Sequence, residues 1–517
     1  MKVALVSPYS DVTSIGIRII AAYLKQHGHE VRQVFIPHEP SEKLLEKRKR
    51  WEAPPGEYGS DLLDQFGELM ADRDLVGMTL MTNYFHRCAA LVGAMRGRSK
   101  ARVIWGGIHP TVRAKECLEH ADFVCSGEGE DTMLELADNL DRGGDGVGLA
   151  GLWWRKKAGD SYEKTEGPKR PNPQNLDAFP FPDYELADDY YFDEKDNRFV
   201  KADFNVQKKF MAMGHISRIR KKVAYQTLAT RGCPLNCSYC ANNALRAINV
   251  AGKYLRRRSN ENFIQELETA VKKMPYVEVM GFSDDVFFHA PERDIAEFSR
   301  MYKERVNLPF FALTSPLSIT ETKMENLVNA GLFGLQMGIE SGDPETLKLY
   351  MRGIEDSKTL ESARVISKFV NRPGKPSIDP PVYDLIVDNP YETEKQVLRT
   401  FRFMLLIPRP YRLQIFSLVF FPGTALADKA ARDGYITDAS LEGYTKEYHM
   451  RRASYLNILF GMARLGVPVS MLRFLSEDTP VKWMNREMFN KFYALVYGAY
   501  RKLKMLTGGR ALLAEDS

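Results

Sequence analysis

The 517-residue sequence lacks long apolar runs and a strong charge of either sign. No uncharged apolar stretch reaches the roughly 20 residues of a membrane-spanning helix, so we expect no transmembrane segment and a cytoplasmic protein. The first apolar run ends at Ser7, which is too short for a signal peptide and predicts a buried strand. The net charge of +5 is small for this length and does not indicate a nucleic-acid partner.

Cysteine is also scarce, with six residues in the whole sequence. Six unevenly spaced cysteines do not form the disulfide framework of a secreted protein. Three of them are scattered and are expected to be small buried apolar side chains: Cys88, Cys117 and Cys125.

The other three cysteines, Cys233, Cys237 and Cys240, lie in one stretch with three and then two residues between them. A single loop with this spacing can bind three irons of a cubane cluster and leave the fourth iron open. Zinc requires four ligands, and no other His or Cys stands close enough in sequence to complete the set. The motif therefore favours a [4Fe-4S] cluster over zinc or over three buried cysteines.

This cysteine motif resembles the signature of the radical SAM superfamily. The resemblance implies that the open iron binds S-adenosylmethionine (SAM), which an electron from the cluster cleaves to a 5′-deoxyadenosyl radical. Tyr239 matches the aromatic residue before the last ligand, which packs near the adenine. Such a cluster also implies an anaerobic, reducing setting and an electron donor such as a reductase, flavodoxin or ferredoxin.

Residues 223–430 alternate strands and helices in the order of a partial (β/α)6 barrel, whose active site lies at the carboxyl ends of the strands. The resemblance assigns Asp284 and Asp285, after the second strand, to the methionine end of SAM. It assigns Glu340 and Ser341, after the fourth strand, to the ribose and the methionyl part. A second interpretation of Glu340, as a carboxylate at a helix N-terminus, is equally open.

Residues 1–142 alternate short apolar strands with amphipathic helices, which predicts a doubly wound, Rossmann-like α/β domain. Ligands bind at the carboxyl ends of the strands in such sheets. The layout resembles the cobalamin-binding domain of cobalamin-dependent radical SAM enzymes, through the segments of residues 105–111 and 126–130. The candidates at this edge of the sheet are residues 7–10, which include Ser7, and residues 79–83, 106–107 and 127–129. The resemblance implies that Gly106 and Gly107 let the backbone approach the corrin, and that Thr79 stands near the place of a conserved hydroxyl group.

The Asp-x-His-x-x-Gly motif of older cobalamin-binding domains is absent, so that motif supplies no histidine to the cobalt. His86 and His109 lie near the predicted ligand edge and are expected to be hydrogen-bonded wall residues. Related proteins whose sheet domain holds no cobalamin remain an alternative.

Three further segments are predicted from composition. The charged residues 41–50 indicate a solvated surface helix, and the proline-rich residues 143–222 a linker strap. Residues 431–517 indicate a C-terminal helical region. Its basic amphipathic helix, residues 485–506, suits either a peripheral membrane contact, with a lipid-like substrate, or a cover over the open side of the barrel. The cover is the commoner role of such a helix.

Together these resemblances imply a cobalamin-dependent radical SAM methyltransferase that methylates an unactivated carbon of a small molecule. The alternative is the same architecture carrying out radical cyclisation, rearrangement or oxidation without methyl transfer. A tRNA methylthiotransferase would need three more cluster cysteines, which the scattered cysteines do not supply. A non-catalytic cobalamin or redox sensor is the third class, and it would bind cofactor without cleaving SAM.

Overall fold

The computed structural model describes residues 1–9, 11–37, 58–158, 161–436, 443–444 and 454–495. The charged helix expected over residues 41–50 lies outside these ranges, as do Ser10 and residues 496–506 of the predicted basic helix. The chain divides into two units. Unit 1 contains Met1–His215, Tyr239–Arg258 and Phe420–Lys446, and unit 2 contains Ile216–Ser238, Ser259–Val419 and Glu447–Ser517.

The strands are numbered in chain order. They are β1 (Lys2–Ser7), β2 (Glu30–Phe35), β3 (Leu75–Thr79), β4 (Arg102–Gly106), β5 (Phe123–Cys125), β6 (Leu152–Ala158), β7 (Ser161–Glu166), β8 (Asp189–Asp193), β9 (Arg198–Lys201), β10 (Ala224–Thr227), β11 (Thr230–Arg231), β12 (Arg256–Arg257), β13 (Val279–Phe282), β14 (Phe310–Thr314), β15 (Leu332–Glu340), β16 (Val382–Val387) and β17 (Arg412–Ser417).

The α-helices are numbered in the same way. They are α1 (Ile15–Gln26), α2 (Ser60–Leu69), α3 (Phe85–Arg96), α4 (Ile108–Val112), α5 (Ala114–Cys117), α6 (Glu130–Asp141), α7 (Phe204–Met211), α8 (His215–Arg220), α9 (Ala241–Ile248), α10 (Asn260–Lys273), α11 (Glu292–Arg305), α12 (Glu321–Ala330), α13 (Pro344–Leu349), α14 (Asp356–Ser367), α15 (Glu394–Met404), α16 (Ala425–Arg432), α17 (Tyr455–Arg464), α18 (Val469–Leu475) and α19 (Asp478–Met484).

Unit 1 is built on a sheet in the order β7-β6-β5-β4-β3-β1-β2-β8-β9. The first five strands run parallel, with β1 between β2 and β3. Side chains of β1 alternate between two cores: Ala4 and Val6 enter one, and Val3 and Leu5 enter the other. A strand buried on both faces requires helices on both sides of the sheet, so the predicted doubly wound domain is confirmed.

The same sheet extends into the segment predicted to be a linker strap. The antiparallel pair β6 and β7 continues one edge, and β8 with β9 continues the other. Prolines are concentrated between these two additions, where Leu176–Ala178 is a single 3-10 turn. The extent of each domain therefore stays a prediction.

Unit 2 contains six parallel strands in the order β10-β13-β14-β15-β16-β17. Consecutive parallel neighbours require crossovers of one hand, which place the connecting helices on one face of the sheet. Aromatic side chains fill the space between α10, α11 and the first strands, among them Phe263, Phe282 and Phe298. This arrangement is the predicted partial barrel.

Helices α17, α18 and α19 form a C-terminal helical region in unit 2, as expected. The Tyr455 hydroxyl donates to the carbonyl of Leu475 at 2.9 Å, which joins α17 to the end of α18. Among the described residues, no helix combines the length and the low polarity that crossing a bilayer requires.

Candidate functional site

Cys233, the first cysteine of the motif, lies two residues after the short strand β11, which follows β10 in the chain. Cys233 and Cys237 are buried, at 8% and 5% exposure, and Cys240 is partly exposed. None of the six cysteines, all of which lie in the described ranges, forms a disulfide bond. The boundary between the two units falls inside the motif, after Ser238, so the two sides are described separately.

On the unit 2 side, Arg352 contacts a predicted cluster ligand. Its Nη1 donates to Cys237 Sγ at 3.4 Å, and its Nη2 donates to the Gly338 carbonyl. The guanidinium also lies 3.7 Å from Glu340 Oε1, and Arg352 is only 6% exposed. A buried cation beside a cysteine sulfur suits a thiolate that binds metal, because the charge offsets the negative charge on sulfur.

The loop is further held by Ser238. Its N–H donates to the Tyr350 carbonyl at 2.9 Å, and its hydroxyl donates to the Leu349 carbonyl at 2.8 Å. Tyr350 is fully buried, and its hydroxyl accepts from Asn389 at 3.1 Å. The end of α13 therefore positions the loop that carries Cys237.

On the unit 1 side, Cys240 precedes α9. The Asn242 amide donates to its sulfur at 3.8 Å, and the Tyr254 hydroxyl donates to Asn242 Oδ1 at 2.6 Å. Tyr239 is partly exposed. Its role beside the adenine stays a prediction.

A single-ion site is not present at this motif. Within the part of the chain that the structure describes, no three His, Cys, Asp or Glu side chains are close enough to bind one metal ion. A cubane does not require such closeness, because each cysteine binds a different iron. The three cysteines can supply one thiolate to each of three irons, so this set of ligands fits a cubane.

Asp284 is 1% exposed and contacts the residues that directly precede the cysteine motif. Its carboxylate accepts from the N–H of Ala229 at 3.0 Å and from the Thr230 hydroxyl at 2.5 Å. Asp285 is exposed. The two predicted contacts to SAM thus differ in burial, because the Asp284 side chain is buried and the Asp285 side chain is exposed.

Glu340 is the last residue of β15 and Ser341 follows it, and their side chains contact different partners. Glu340 has φ of +70° and directs its carboxylate to Arg352. Ser341 is buried, and its hydroxyl lies 2.8 Å from Thr400 Oγ1. Asp343 caps α13 by accepting from the Thr346 N–H at 2.9 Å, so the helix N-terminus does not need Glu340. The N-cap of α13 is Asp343, whereas Glu340 contacts Arg352, and the interpretation of Glu340 as a carboxylate at the helix N-terminus stays a prediction.

Three polar side chains lie together on β15, β16 and β17, and the sequence analysis missed them. The Gln336 amide donates to both Asp384 oxygens, at 2.9 and 2.8 Å, and to Gln414 Oε1 at 3.3 Å. Burial and the nearby Glu340 raise the pKa of Asp384 to about 7. The signal is the alternation of polar and buried residues along each strand.

In unit 1 the predicted cobalamin contacts lie at one edge of the sheet. Ser7, Thr79 and Gly106 end the neighbouring parallel strands β1, β3 and β4. The Ser7 hydroxyl lies 2.5 Å from Ser14 Oγ, and Thr79 Oγ1 lies 3.3 Å from the Tyr9 hydroxyl. The structure thus brings these residues together, as expected for parallel strands.

Gly107 follows Gly106 with φ of +100°. A Cβ at this position would lie 2.9 Å from both the Leu80 carbonyl oxygen and Thr79 Oγ1, so only glycine fits. An edge of hydroxyl groups and bare backbone fits the predicted approach of a large ligand to this part of the sheet.

His109 is a fully buried wall residue of unit 1. Its Nδ1 lies 3.2 Å from Thr82 Oγ1, and its Nε2 lies 3.4 Å from the Tyr444 hydroxyl. Burial, together with Arg113, lowers its pKa to about 4. His86 is exposed and contacts the rings of Phe85 and Tyr444. The wall position expected for His109 agrees with these contacts.

Two family models match separate parts of the chain. The B12 binding domain matches residues 1–137, and the radical SAM superfamily matches residues 227–404. An uncharacterized methyltransferase of Pyrococcus horikoshii is 26% identical over 383 residues, which are 72% of this chain and 73% of the relative. The bacteriochlorophyllide d C-8(2)-methyltransferase of Chlorobaculum tepidum is 21% identical over 384 residues, 72% of each chain.

Solved structures of two proteins share the fold. The radical SAM methyltransferase TsrM from Kitasatospora setae, with cobalamin and a [4Fe-4S] cluster bound, aligns with a TM-score of 0.61 and 16% identity, over 84% of this chain and 75% of that one. The cobalamin-dependent SAM radical enzyme OxsB, with aqua-cobalamin bound, aligns with a TM-score of 0.62 and 13% identity, over 97% of this chain and 71% of that one.

Proposed function

We propose that this chain is a radical SAM enzyme with a B12-binding domain and that it methylates an unactivated carbon of a small molecule. The observation that carries the proposal is the presence of both domains in one chain, with the three-cysteine motif at the carboxyl end of the first barrel strand. The cofactors are a [4Fe-4S] cluster, SAM and cobalamin. When bound, they supply the electron that cleaves SAM and the methyl group that is transferred.

The chain's own residues prepare the cluster site. Cys233, Cys237 and Cys240 would hold three irons and leave one for SAM. Arg352 places a positive charge against Cys237 Sγ, and its contact with Glu340 keeps that carboxylate near the same end of the sheet. We infer that Glu340 orients SAM directly, since the carboxylate is partly accessible at 13% side-chain exposure.

The other predicted SAM contacts divide by their structural setting. The carboxylate of Asp284 and the hydroxyl of Ser341 are engaged within unit 2, so we propose that they shape the site by holding its backbone. Asp285 and Tyr239 retain accessible surface and stay candidates for direct contact. In unit 1 we propose that Ser7, Thr79, Gly106 and Gly107 contact cobalamin.

Methyl transfer is favoured over cyclisation, rearrangement or oxidation, because both relatives described above are named as methyltransferases. The polar group formed by Gln336, Asp384 and Gln414 lies on one face of the barrel sheet. Carboxylate and amide groups favour a substrate with hydrogen-bond donors over the wholly lipid-like alternative. We further propose a cytoplasmic, anaerobic setting and a reductase, flavodoxin or ferredoxin as electron donor.

The test is anaerobic reconstitution with iron, sulfide and cobalamin, followed by counting of iron and corrinoid per chain. We expect about four irons and one corrinoid, with S-adenosylhomocysteine formed alongside 5′-deoxyadenosine in the presence of substrate. 5′-Deoxyadenosine alone would favour the alternative reactions. A protein with Cys233, Cys237 and Cys240 all replaced by alanine should lose the iron and keep the corrinoid. Full iron content in that variant would contradict the proposal.

A further inference from the structure

Large apolar side chains are exposed over a short part of the C-terminal helical region. Within residues 465–495 the exposed side chains are Leu465, Met471, Phe474, Trp483, Met484, Met488, Phe492 and Leu495. Trp483 is 63% exposed and Met488 74%. We call these eight side chains the C-terminal apolar surface. Soluble domains rarely expose so many large apolar groups within one short segment unless that segment meets a partner or a membrane.

The last described helical segment turns its apolar stripe to solvent. Met488, Phe492 and Leu495 are spaced four and three residues apart, which places them on one face of a helix. Tyr493 takes the inward position, where it is 3% exposed and donates to the Met484 carbonyl at 2.8 Å. The helix is therefore already anchored through Tyr493, and its apolar stripe faces outward, the reverse of an ordinary surface helix.

Basic residues accompany each exposed aromatic side chain. Exposed lysine or arginine directly precedes each ring, in the pairs Arg473–Phe474, Lys482–Trp483 and Lys491–Phe492. The Arg486 guanidinium lies 5.1 Å from the Trp483 ring centroid. Aromatic rings beside cationic side chains are typical of the interface between lipid headgroups and acyl chains.

An acidic side chain in the same region is partly neutralised. Asp478 Oδ1 lies 2.7 Å from Arg402 Nη2, in a salt bridge within unit 2. Residues 465–495 contain four basic side chains, Arg473, Lys482, Arg486 and Lys491, and three acidic ones, Glu477, Asp478 and Glu487, so the net charge of the segment is +1, or +2 without the salt-bridged Asp478. An anionic lipid surface would meet this positive excess, and the basic residues beside the rings, with opposite charge.

We propose that the C-terminal apolar surface binds the protein peripherally to an anionic lipid bilayer. The rings of Phe474, Trp483 and Phe492 enter the headgroup and upper acyl region, and the neighbouring basic residues contact lipid phosphates. This inference goes beyond the proposed function and does not depend on it.

The test uses the full chain, reconstituted with its cofactors, and sedimentation with two kinds of vesicle. One kind is phosphatidylcholine alone, and the other is phosphatidylcholine with phosphatidylglycerol. We expect at least about tenfold stronger binding to the anionic vesicles, and loss of most of it when the salt concentration rises from about 0.05 to about 0.5 M. Equal or absent binding to both vesicles overturns the proposal.

Three variants separate a lipid surface from other occupants. The double substitution Lys482→Gln and Lys491→Gln should weaken binding about fivefold for each lysine, and Trp483→Ser with Phe492→Ser should weaken it at least as much. The matched control is Tyr162→Ser, an exposed aromatic residue of unit 1 that should leave binding unchanged. Light scattering checks the mass of each variant. A dimer that becomes monomeric in the Trp483 and Phe492 variant, without any effect on vesicle binding, overturns the proposal.

Discussion

Arg352 donates a hydrogen bond to the sulfur of Cys237 at 3.4 Å, although 115 residues separate the two in sequence. The same guanidinium donates to the Gly338 carbonyl and lies beside Glu340. One buried cation thus connects a predicted cluster ligand to the carboxylate that we assign to SAM. We expect this contact to couple the reduction potential of the cluster to the binding of SAM.

Replacement of Arg352 should change the reduction potential of the cluster. Loss of a hydrogen bond and a positive charge beside a ligand sulfur disfavours the more negative, reduced cluster. We expect Arg352→Gln to make reduction about tenfold less favourable, a shift of about 59 mV to lower potential for one electron. Arg352→Lys, which keeps the charge, should shift it less.

The measurement for Arg352 is a redox titration followed by electron paramagnetic resonance. Arg364→Gln, an exposed arginine of α14, is the matched control and should leave the potential unchanged. An unchanged potential in Arg352→Gln, with iron content equal to that of the unmodified protein, would show that the contact has no electronic role.

A side chain at Gly338 should displace the Glu340 carboxylate and the Arg352 guanidinium. A Cβ there would overlap the Glu340 carboxylate and lie 2.9 Å from Arg352 Nη2. We expect Gly338→Ala to weaken SAM binding at least about tenfold and to lower stability by about 1–3 kcal/mol. Equilibrium dialysis with SAM and denaturant unfolding measure the two effects. Gly461→Ala, in α17 with open space around its Cβ, should bind SAM normally and gain about 0.5–1 kcal/mol. Normal SAM binding by Gly338→Ala would contradict the assignment of Glu340 to SAM.

The Asp384 carboxylate should make the stability of the protein depend on pH. Its pKa is about 7 in the folded chain, above the ordinary value near 3.9, so the folded state holds the proton more tightly than the unfolded state. The stability that this group contributes is therefore fully present below about pH 4 and is lost as the pH rises to about 7. The substitution Asp384→Asn should remove this loss of stability with rising pH.

The comparison for Asp384 is denaturant unfolding at about pH 5 and pH 8. We expect the asparagine variant to gain about 1–3 kcal/mol relative to the unmodified protein between these two values. Glu340 and Arg352, the charged neighbours that act on Asp384, are the same in both proteins. Asp196→Asn, an exposed aspartate of unit 1, should show no such gain. Parallel pH profiles for Asp384→Asn and the unmodified protein would refute the raised pKa.

Gly107→Ala should reduce cobalamin binding without loss of the cluster. The new Cβ would press on the Leu80 carbonyl and on Thr79, and the backbone at φ of +100° is strained for alanine. We expect at least about a tenfold fall in bound corrinoid, measured by absorbance, with iron content maintained. Gly97→Ala, after α3 with open space at its Cβ, is the control. Full corrinoid content in Gly107→Ala would show that this edge of the sheet is not the cobalamin-binding site.

The features that the sequence predicts well are local ones. The cysteine spacing lies within one loop, and the strands of both sheets are short apolar runs that can be recognised one at a time. The contact of Arg352 with Cys237 and the group formed by Gln336, Asp384 and Gln414 depend on strand register and on tertiary packing. A single sequence contains no direct record of that register. The addition of β6 to β9 to the first sheet was missed for the same reason, because pairing partners are set by the whole fold.

Ser238 fastens its loop to the end of α13 by two hydrogen bonds, to Leu349 and to Tyr350. Arg352 stands only two residues further along the chain. The loop that carries Cys237 is thus held by the same short backbone segment that carries Arg352. Binding of this ligand to a cluster therefore loses less conformational entropy than binding of a ligand carried by a free loop. We expect the apoprotein to capture iron and sulfide without first reorganising this side of the motif.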